Sequence, residues 1–498
     1  MGESFYCGLD IGTSSTKAIL FDRDLQVVYR ISHGYRLLIE GTSRAELDPG
    51  EVLAAVMQCL KEALAAARSR GGEIAFVAIS SALHSLIAVD RDFTPLTGCL
   101  TWADTRALEC SEELKELYAS RHFYFQTGCP AHVIYAPARL RWWQSYEPDI
   151  IERAAGFITI KEYVLYRLTG QWVVDYSLAS GSGLLNLYTR AWEKGLLALL
   201  GLEDNKLGRL VDGTTTLTLT REAAVVLGAD VPLVVGSGDG PLANLGAGGL
   251  INNSCVATIG TSGAIRVFSP EPRFDARQRT WCYMLDRDTY LVGGAINNGG
   301  LALNWFRDNF GSTGEDYEAI NALARDVPPG SRGLIFLPFL TGERSPNWNP
   351  YARGLMVGLD LAHGRKEMAR AVLEGVIFRM YSIFRALEEL MGTFPEVLVN
   401  GGFTNSDLWL QIMADVFNRR IIAYQTYDSS ALGAVIMGLK ALGLIKDYRS
   451  LDYQPTVKDI KKPVATNVRQ YQRVYQLYEE IYAANALLFK KLAGLRCH

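Results

Sequence analysis

A short turn sequence occurs twice in this chain, and its repetition constrains the fold more than any other feature. The stretch "DIGTSSTKAILFD" covers residues 10–22, and "TIGTSGAIRVF" covers residues 258–268. Each predicts a strand end, a tight Gly/Thr/Ser turn and a returning strand. Alignment of 7–14 with 255–262 gives an offset of 248 residues, about half of the 498-residue chain. Duplication followed by divergence accounts for this spacing, so we expect two halves of related architecture.

The length of the chain requires more than one domain. It exceeds the ~250–300 residues at which single hydrophobic cores stop growing. Hydrophobic residues make up 49% of the sequence and charged residues 21%, which is ordinary for a folded soluble protein. The segment "GSGDGPLANLGAGGLINN" is rich in small residues and Asn, as interdomain boundaries often are. We therefore expect domains over residues 1–247 and 248–498, with a cleft between them.

Charge and cysteine content argue against several classes of protein. The formal net charge is −3 and no long Lys/Arg run occurs, so a small molecule is a better expectation than nucleic acid or a membrane. The eight cysteines are dispersed without a C-x-x-C pair, which argues against a metal site or a disulfide scaffold. The first residues lack the features of a signal peptide, and no uncharged apolar run reaches ~18 residues. A cytoplasmic protein is expected.

The first half predicts a β-hairpin followed by a helix and further strands. Residues 5–10 and 16–21 form the hairpin, and "LDPGEVLAAVMQCLKEALAAARSR" predicts the helix. Asp48 can cap this helix, Pro49 suits its first turn and Glu51 completes a capping box. The apolar residues at helical spacing, which suit packing on a sheet, are Val52, Val56, Leu60 and Leu64.

The second half repeats this order. "SCVATIGTSGAIRVF" predicts a hairpin and "TYLVGGA" another strand, and a long helix follows over residues 365–391. "EVLVNGGFTNSDLWLQIMADVFNRRI" then predicts a strand, a glycine turn and a capped helix. The tail predicts an amphipathic helix, which we interpret as a packing element. Its apolar face is formed by Val474, Tyr478, Ile481 and Tyr482.

The paired turns suit phosphate binding. Backbone N–H groups and hydroxyls at such turns can hold phosphate oxygens without a P-loop lysine. The sequence contains no Gly-Lys dipeptide, so a P-loop is excluded. A single "IGTS" is also a common hairpin turn, but two copies facing each other would grip one polyphosphate from both sides.

Two aspartates stand out beside these turns. Asp10 ends the strand of the first copy where Thr258 stands in the second, and a nucleotide's Mg²⁺ needs one hard oxygen ligand rather than two. Asp239 follows an apolar strand and precedes a helix predicted to begin at Pro241. It suits either a helix N-cap or a general base that accepts a proton during phosphoryl transfer.

Together with "TWADTR" at 101–106, "FLPFLTGERSPNWNPYARG" at 336–354 and "NGGFTNSDLWLQIMADVFNR" at 400–419, these features resemble the FGGY carbohydrate kinases. The resemblance extends over nearly the whole length. It implies an α/β fold of two ribonuclease-H-like domains of the actin-like ATPase superfamily, with ATP and a sugar meeting in the cleft. It also implies Mg²⁺ as a cofactor, and homodimers occur among relatives.

The resemblance implies roles for individual residues. Asp10 matches the Mg²⁺-associated aspartate, and Asp239 matches the catalytic base that deprotonates the sugar hydroxyl. Nucleotide contacts are implied at Gly12, Thr13, Lys17, Gly260, Thr261, Gly300, Asn304, Gly401, Gly402 and Asn405. Sugar contacts are implied at His84, Trp102, Asp104 and Arg106, although His84 and Trp102 would also suit a core. Where many relatives have a glutamate before the helix "ALGAVIMG", this chain has Asp428 or Ser430.

The segment "GGAINNGG" at 293–300, with "ALHSLIAVD" and "TWADTR", looks most like the gluconate kinase branch. This implies phosphorylation of D-gluconate to 6-phospho-D-gluconate. The substrate carboxylate would need cationic or amide partners, predicted to be Arg106, Asn297 and Asn298. Xylulose kinases, or kinases of another ketopentose or polyol, are the alternative; glycerol kinases usually carry Gln where this chain has Gly240.

An actin-like or chaperone-like ATPase switch is a more remote alternative, because the same nucleotide architecture serves both classes. The predicted sugar cluster and the Thr-Gly-Glu-Arg-Ser-Pro loop at 341–346 favour a kinase.

Overall fold

The computed structural model describes residues 3–41, 43–250, 254–312, 314–425, 428–453 and 455–495. Cys497 and residues 251–253 of the predicted boundary segment lie outside the described residues. The seven described cysteines are buried and free, as expected of core thiols. Across the described ranges, no helix is both long and apolar enough to cross a membrane.

The first half contains one large sheet, several small ones and the helices around them. Its strands are β1 Glu3–Ile11, β2 Ser15–Phe21, β3 Val27–Gly34, β4 Leu38–Glu40, β5 Arg44–Leu47, β6 Gly72–Ser81, β7 Ile87–Val89, β8 Cys99–Leu100, β9 Gly156–Ile158, β10 Val173–Asp175, β11 Leu185–Asn186, β12 Ala191–Trp192, β13 Arg209–Val211, β14 Thr216–Leu217 and β15 Leu233–Gly238. Its helices are α1 Pro49–Ser69, α2 Leu108–Arg121, α3 Tyr124–Thr127, α4 Ala136–Tyr146, α5 Pro148–Arg153, α6 Ile160–Thr169, α7 Tyr176–Gly181, α8 Lys194–Leu199, α9 Arg221–Leu227 and α10 Asp239–Gly246.

The second half is simpler and more helical. Its strands are β16 Cys255–Ile259, β17 Gly263–Ser269, β18 Trp281–Met284, β19 Tyr290–Ile296, β20 Ile335–Leu337, β21 Leu355–Val357, β22 Glu396–Asn400, β23 Arg420–Tyr424 and β24 Val457–Lys461. Its helices are α11 Gly300–Phe310, α12 Tyr317–Arg325, α13 Arg365–Met391, α14 Asp407–Phe417, α15 Ser429–Ala441 and α16 Ala465–Gly494. Short 3₁₀ helices occur at Asp204–Lys206, Ser331–Gly333, Gly402–Asn405 and Tyr448–Ser450.

The two large sheets share one strand order, given in opposite directions, and the second has β18 as an additional edge strand. Within the described residues the first runs β14-β15-β6-β1-β2-β3 and the second β18-β19-β17-β16-β22-β23-β24. In each, the strand before the Gly/Thr/Ser turn pairs antiparallel with the strand after it and parallel with a later strand, β6 or β22. This correspondence confirms the prediction of two halves with related architecture.

Helix α1 forms as its sequence predicts, including the Asp48 cap but not the capping box. Asp48 accepts hydrogen bonds from the backbone N–H groups of Gly50, at 2.7 Å, and Glu51, at 3.2 Å. Its four predicted apolar residues are buried against the first sheet. The predicted capping box is wrong, because the Glu51 carboxylate accepts from the Arg36 N–H at 3.5 Å instead.

Helices α10 and α15 come from different halves and cross at glycines. A Cβ on Gly433 of α15 would lie 2.0 Å from the Leu242 carbonyl oxygen of α10, and one on Gly246 would lie 2.1 Å from that of Ser429. Helix α15 also touches the first sheet, since a Cβ on Gly8 would lie 2.4 Å from the Ala431 carbonyl oxygen. Only glycine permits such close backbone approach, so these positions join the halves.

The hydrophobic core also crosses between the halves. One buried cluster includes Tyr135 and Trp143 from the first half and Trp281 and Tyr283 from the second. The hydroxyls of Tyr135 and Tyr283 lie 2.7 Å apart. Helix α16 packs through buried Val474, Tyr478 and Tyr482, with Ile481 partly buried, which confirms its prediction as a packing element.

Candidate active site

A cavity of about 450 Å³ lies between the halves and receives both Gly/Thr/Ser turns. The first half supplies its wall at Thr13, Ser14, His84, Trp102 and Asp239, and the second half at Thr261, Ser262, Arg266, Tyr283, Arg344 and Trp348. We call it the sugar-side cavity. Its walls bring together the two turns, Asp239 and two of the four residues predicted to contact a sugar.

The turns are held by backbone hydrogen bonds at the ends of their strands. In the first, the Gly12 N–H donates to the Ser15 carbonyl at 3.0 Å, and the Tyr35 hydroxyl donates to the Gly12 carbonyl at 2.6 Å. In the second, the Gly260 N–H donates to the Ser262 carbonyl at 2.9 Å, and the Gly300 N–H donates to the Gly260 carbonyl at 2.7 Å. Two short, rigid turns therefore face each other across the cleft.

Asp10 lies at the end of β1, where the Ser80 hydroxyl donates to its Oδ1 at 2.7 Å. Among the described residues, no group of three or more His, Cys, Asp or Glu side chains is placed to hold a metal. One carboxylate is nevertheless what Mg²⁺ needs when substrate phosphates and water supply its other ligands. Asp10 fits such an ion, which would arrive with a nucleotide.

Lys17 faces a carboxylate in the structure. It pairs in register with Asp10 across the hairpin, and its Nζ lies 4.0 Å from Asp428 Oδ1. Asp428 also accepts from Arg30 Nε at 2.8 Å, and it precedes α15 with a φ of 63°. Asp428 thus stands where the family's glutamate was expected, but paired with two cations.

Asp239 is the first residue of α10, and Gly238 rather than Asp239 occupies the N-cap position. The helix therefore begins two residues before the predicted Pro241. The Asp239 carboxylate faces the cavity and accepts from the Gly240 N–H at 2.7 Å. Burial and the nearby Asp10 raise its pKa to about 6, while Arg266 opposes the shift. Such a pKa suits a general base near neutral pH.

His84 sits at the break between β6 and β7 with a φ of 66°, and its ring lines the cavity. Its Nδ1 lies 2.9 Å from the Gly181 carbonyl oxygen, and its ring meets the edges of Tyr135 and Tyr283. Burial and the neighbouring Arg344 lower its pKa to about 3. The ring is neutral at physiological pH, and because Nδ1–H donates to the carbonyl, Nε2 can accept from a substrate hydroxyl.

Asp104 and Arg106 do share one side of their loop, but that side faces β5. Asp104 is fully buried and accepts from the Ala45 N–H at 2.9 Å. The Arg106 guanidinium binds Asp104 at 2.7 Å, also pairs with Glu46, and lies 5.2 Å from the centre of the Trp142 ring. The structure therefore corrects the prediction that both reach the sugar, because their charges are already neutralised by one another and by Glu46.

Asn298 has a structural task. Its buried amide donates to the Gly342 carbonyl at 3.0 Å and accepts from the Thr341 N–H and hydroxyl. Asn297 donates to the Thr341 carbonyl at 3.1 Å and lines an adjoining cavity of about 400 Å³ with Trp102 and His132. The pair secures the loop that carries Arg344, so Asn298 is not free to bind a carboxylate.

Sequence reasoning missed Arg266, Arg344 and His132. Arg266 lies on β17 two residues beyond cavity-lining Ala264, so strand alternation turns both toward the same side. A charged residue within that otherwise apolar strand was the available signal. Arg344 lies in the "TGERSP" loop, whose direction depends on Asn297 and Asn298. Burial lowers the pKa of His132, which packs on Trp348, to about 3.

A second cavity, of about 500 Å³, lies on the other side of the second turn. Six residues predicted to contact the nucleotide line it: Gly260, Thr261, Gly300, Asn304, Gly402 and Asn405. Gly401 shapes its wall with a φ of 102°, and a Cβ there would lie 2.4 Å from the Ile259 carbonyl oxygen. We call it the nucleotide-side cavity. Thr261 lines this cavity, the sugar-side cavity and the adjoining one, so the three meet at the second turn.

Family comparisons match both halves. The sequence profile described as "FGGY family of carbohydrate kinases, N-terminal domain" matches residues 5–246, and the corresponding C-terminal domain profile matches residues 255–442. The gluconokinase of Bacillus licheniformis is 38% identical over 488 residues, 95% of each chain. The xylulose kinase of Bacillus subtilis is 27% identical over 498 residues, 99% of each chain.

Solved structures give the same result. The gluconate kinase from Lactobacillus acidophilus superposes with a TM-score of 0.93 at 34% identity, covering 98% of this chain and 100% of that one. The ligand-bound xylulose kinase from the same organism has a TM-score of 0.94, with the same identity and coverage. These neighbours confirm the predicted two-domain, actin-like ATPase fold. The chain belongs to the FGGY family of carbohydrate kinases.

Proposed function

We propose that this carbohydrate kinase transfers the γ-phosphoryl group of ATP to the terminal hydroxyl of D-gluconate and releases 6-phospho-D-gluconate. The observation that carries the proposal is the placement of Asp239 in a cavity that joins the nucleotide-side cavity at Thr261. A hydroxyl bound at Asp239 would face a phosphoryl group held between the two turns. The gluconokinases of two Bacillus species, at 37–38% identity, against 27–29% for the xylulose kinases of Bacillus subtilis and Staphylococcus epidermidis, support gluconate as the acceptor.

The transfer needs positioning and charge neutralisation more than covalent help from the protein. The sugar hydroxyl donates to Asp239, which takes its proton as the sugar oxygen bonds to the γ phosphorus and the bond from that phosphorus to the leaving oxygen of ADP breaks. Hydroxyls and N–H groups of the two turns hold the phosphate oxygens, and His84 Nε2 orients a second hydroxyl. Asp10, fixed by Ser80, would hold Mg²⁺, which neutralises phosphate charge when bound. ADP and the phosphorylated sugar then leave.

The nucleotide-side cavity would take the adenosine and its proximal phosphates. Its walls alternate glycines, at 260, 300 and 402, with polar and aromatic side chains, which lets a planar base approach the backbone. Asn304 and Asn405 are pre-oriented, since Tyr317 donates to Asn304 and Lys458 donates to Asn405, both at 2.6 Å.

The domain division at 247/248 also remains a proposal. The ranges of the two family profiles, 5–246 and 255–442, support it. Closure of the cleft over both substrates would exclude water and limit wasteful ATP hydrolysis. The cytoplasmic location stays a prediction of the sequence, and a homodimer is implied only by its occurrence among relatives.

A ketopentose kinase is the second candidate, favoured by one observation. The xylulose kinase from Lactobacillus acidophilus matches this chain in fold and identity as well as the gluconate kinase from that organism does. The fold and Asp239 would serve either acceptor.

The first measurement is ADP release with Mg·ATP and D-gluconate, D-xylulose, D- and L-ribulose, glycerol or erythritol. We expect the highest kcat/KM with D-gluconate. Asp239→Asn, purified in the same way, shows that any turnover belongs to this protein. A preference for a ketopentose would reject gluconate as the substrate.

A further inference from the structure

Two arginines in the sugar-side cavity lack a carboxylate partner. Both Arg266 and Arg344 line this cavity. Among the described residues, neither of these half-buried guanidinium groups forms an ion pair, whereas buried Arg370 and Arg379 pair with Glu374 and Glu343. Withdrawing an unpaired charge from water is costly, and a ligand that supplies the counter-charge would offset that cost.

Arg344 is held in place but not neutralised. Its Nη2 donates to the Ile296 carbonyl at 3.0 Å, and its guanidinium carbon lies 5.6 Å from the centre of the Trp102 ring. Its Nε is buried without a hydrogen-bond partner. The adjacent Glu343 favours the charged form of Arg344 but forms no ion pair with it, because that carboxylate accepts from Arg379 Nε, at 3.0 Å, and from the Arg344 backbone N–H, at 2.8 Å.

Arg266 lies against Gly240. A Cβ at that position would be in ordinary van der Waals contact with the guanidinium, 3.4 Å from Arg266 Nε and 3.5 Å from its Nη2. Arg266 lowers the pKa of Asp239, and Arg344 in turn lowers the pKa of Arg266, yet Arg266 forms no ion pair with Asp239 among the described residues. All three side chains line the same cavity of about 450 Å³, which has room for a short carbon chain.

The charges facing this cavity leave an excess of positive charge on the acceptor side. The two guanidinium groups face one carboxylate, Asp239, while Asp10 lies at the phosphate end. His84 and His132 are neutral because burial holds each pKa near 3, and burial keeps Tyr135 and Tyr283 protonated. Burial also lowers the pKa of Arg266 to about 10, as expected of a cation without a close counter-ion. An acceptor with one negative charge would neutralise the excess positive charge of the cavity, whereas a neutral polyol would not.

We propose that Arg266 and Arg344 bind the carboxylate of an aldonate and thereby set the preference of this kinase for sugar acids over neutral polyols. The inference rests on the proposed function and moves the carboxylate site from Arg106, Asn297 and Asn298 to these two arginines. Planar guanidinium groups suit a carboxylate because each can offer two parallel N–H donors. Trp102 then acts through Arg344, whose guanidinium it supports.

The test compares D-gluconate with two uncharged analogues, D-gluconamide and D-glucitol, in the full-length enzyme. Arg266→Gln and Arg344→Gln remove the charges, Arg266→Lys keeps a cation, and Arg277→Gln is the matched control at an exposed ion pair with Glu389. We expect each Gln variant to raise KM for gluconate about 100-fold, with KM for the uncharged analogues and for ATP within about 3-fold of wild type. Arg266→Lys should recover part of the loss, and the control should match wild type.

Several results would overturn the inference. Equal losses with gluconate and gluconamide would place the arginines on the transferred phosphoryl group, and a matching rise in KM for ATP would place them on the nucleotide. If Arg266→Gln fails to fold, Arg344→Gln decides the question alone. A wild type that prefers gluconate, with Gln variants that keep that preference, rejects this inference only. A wild type that prefers a ketopentose rejects the proposed function and the inference together.

Discussion

At the scale of single residues, Asp239 shows how burial tunes one carboxyl group for proton transfer. Its pKa is raised to about 6 by burial and by Asp10. A general base works only when ionised, so activity is lost as the pH falls through this value and is retained above it. We expect kcat/KM for the sugar to fall tenfold per pH unit below about 6, measured by ADP release under subsaturating sugar.

Asp239→Asn should remove the acid limb of this profile along with most of the turnover. The loss in kcat should reach roughly 10³-fold or more, because the proton acceptor is gone, while ATP binding persists. Glu222→Gln, an exposed acid at the start of α9, is the control. An unchanged pH profile in Asp239→Asn with retained activity would contradict the assignment.

Arg106 was predicted to contact the substrate, but in the structure it pairs with Asp104 and Glu46. Its side chain is 5% exposed and its partner Asp104 is fully buried. Arg106→Gln leaves that carboxylate unpaired, so we expect unfolding in urea to show a loss of about 3 kcal/mol with KM for gluconate nearly unchanged. Arg91→Gln, at an exposed position between β7 and β8, should change neither value. A large rise in KM at unchanged stability would restore Arg106 to the substrate site.

The predicted residues that line the sugar-side cavity lie close to strand ends, where the backbone leaves little choice of position. Asp239 follows β15 directly, and Thr13 and Thr261 lie two residues beyond the ends of β1 and β16. Asp104 and Arg106 lie on a loop. Their spacing predicts that both side chains lie on the same side of it, but not which part of the molecule that side faces. The position of Arg266 could not be predicted from its own strand. Its face of β17 borders a cavity only because the two halves pack against each other.

At the scale of elements, helix and strand positions followed the sequence closely, and their ends less so. Residues 365–391 were predicted as one helix, and α13 has those bounds. Helix α10 begins earlier than predicted because proline is tolerated throughout the first turn, where no N–H needs an intrahelical partner. Pro241 therefore marks the first turn rather than the first residue.

The crossing of α10 and α15 gives a prediction at this scale. Gly433→Ala places a methyl group 2.0 Å from the Leu242 carbonyl oxygen, so one helix must shift. We expect a loss of at least about 2 kcal/mol in stability, measured by urea unfolding, and reduced activity. Gly494→Ala, in α16 with no atom within 4 Å of the new Cβ, is the control. Wild-type stability in Gly433→Ala would mean that the crossing is looser than described.

At the scale of the whole molecule, the duplication could be predicted from the sequence, but the contacts that join the two halves could not. The repeated turns predicted two halves of related architecture. Nothing in the repeat predicted that α15 would lie on the first sheet, or that the Cys282 N–H of β18 would donate to the Gly128 carbonyl at 2.9 Å. These contacts pair distant segments, and single-sequence patterns carry no information on such pairs.

The contacts between the two halves predict how the chain unfolds. Because one buried cluster spans both halves, we expect calorimetry to give a single transition, with coincident midpoints from far-ultraviolet and near-ultraviolet circular dichroism. Gluconate at 100 times its Kd should stabilise that whole transition by about 2.7 kcal/mol, since it binds only the folded cleft. Gluconamide serves as the control ligand at the same concentration and should shift it less. Two transitions, only one of them moved by gluconate, would instead mean that each half unfolds on its own core and that the cleft contacts open first.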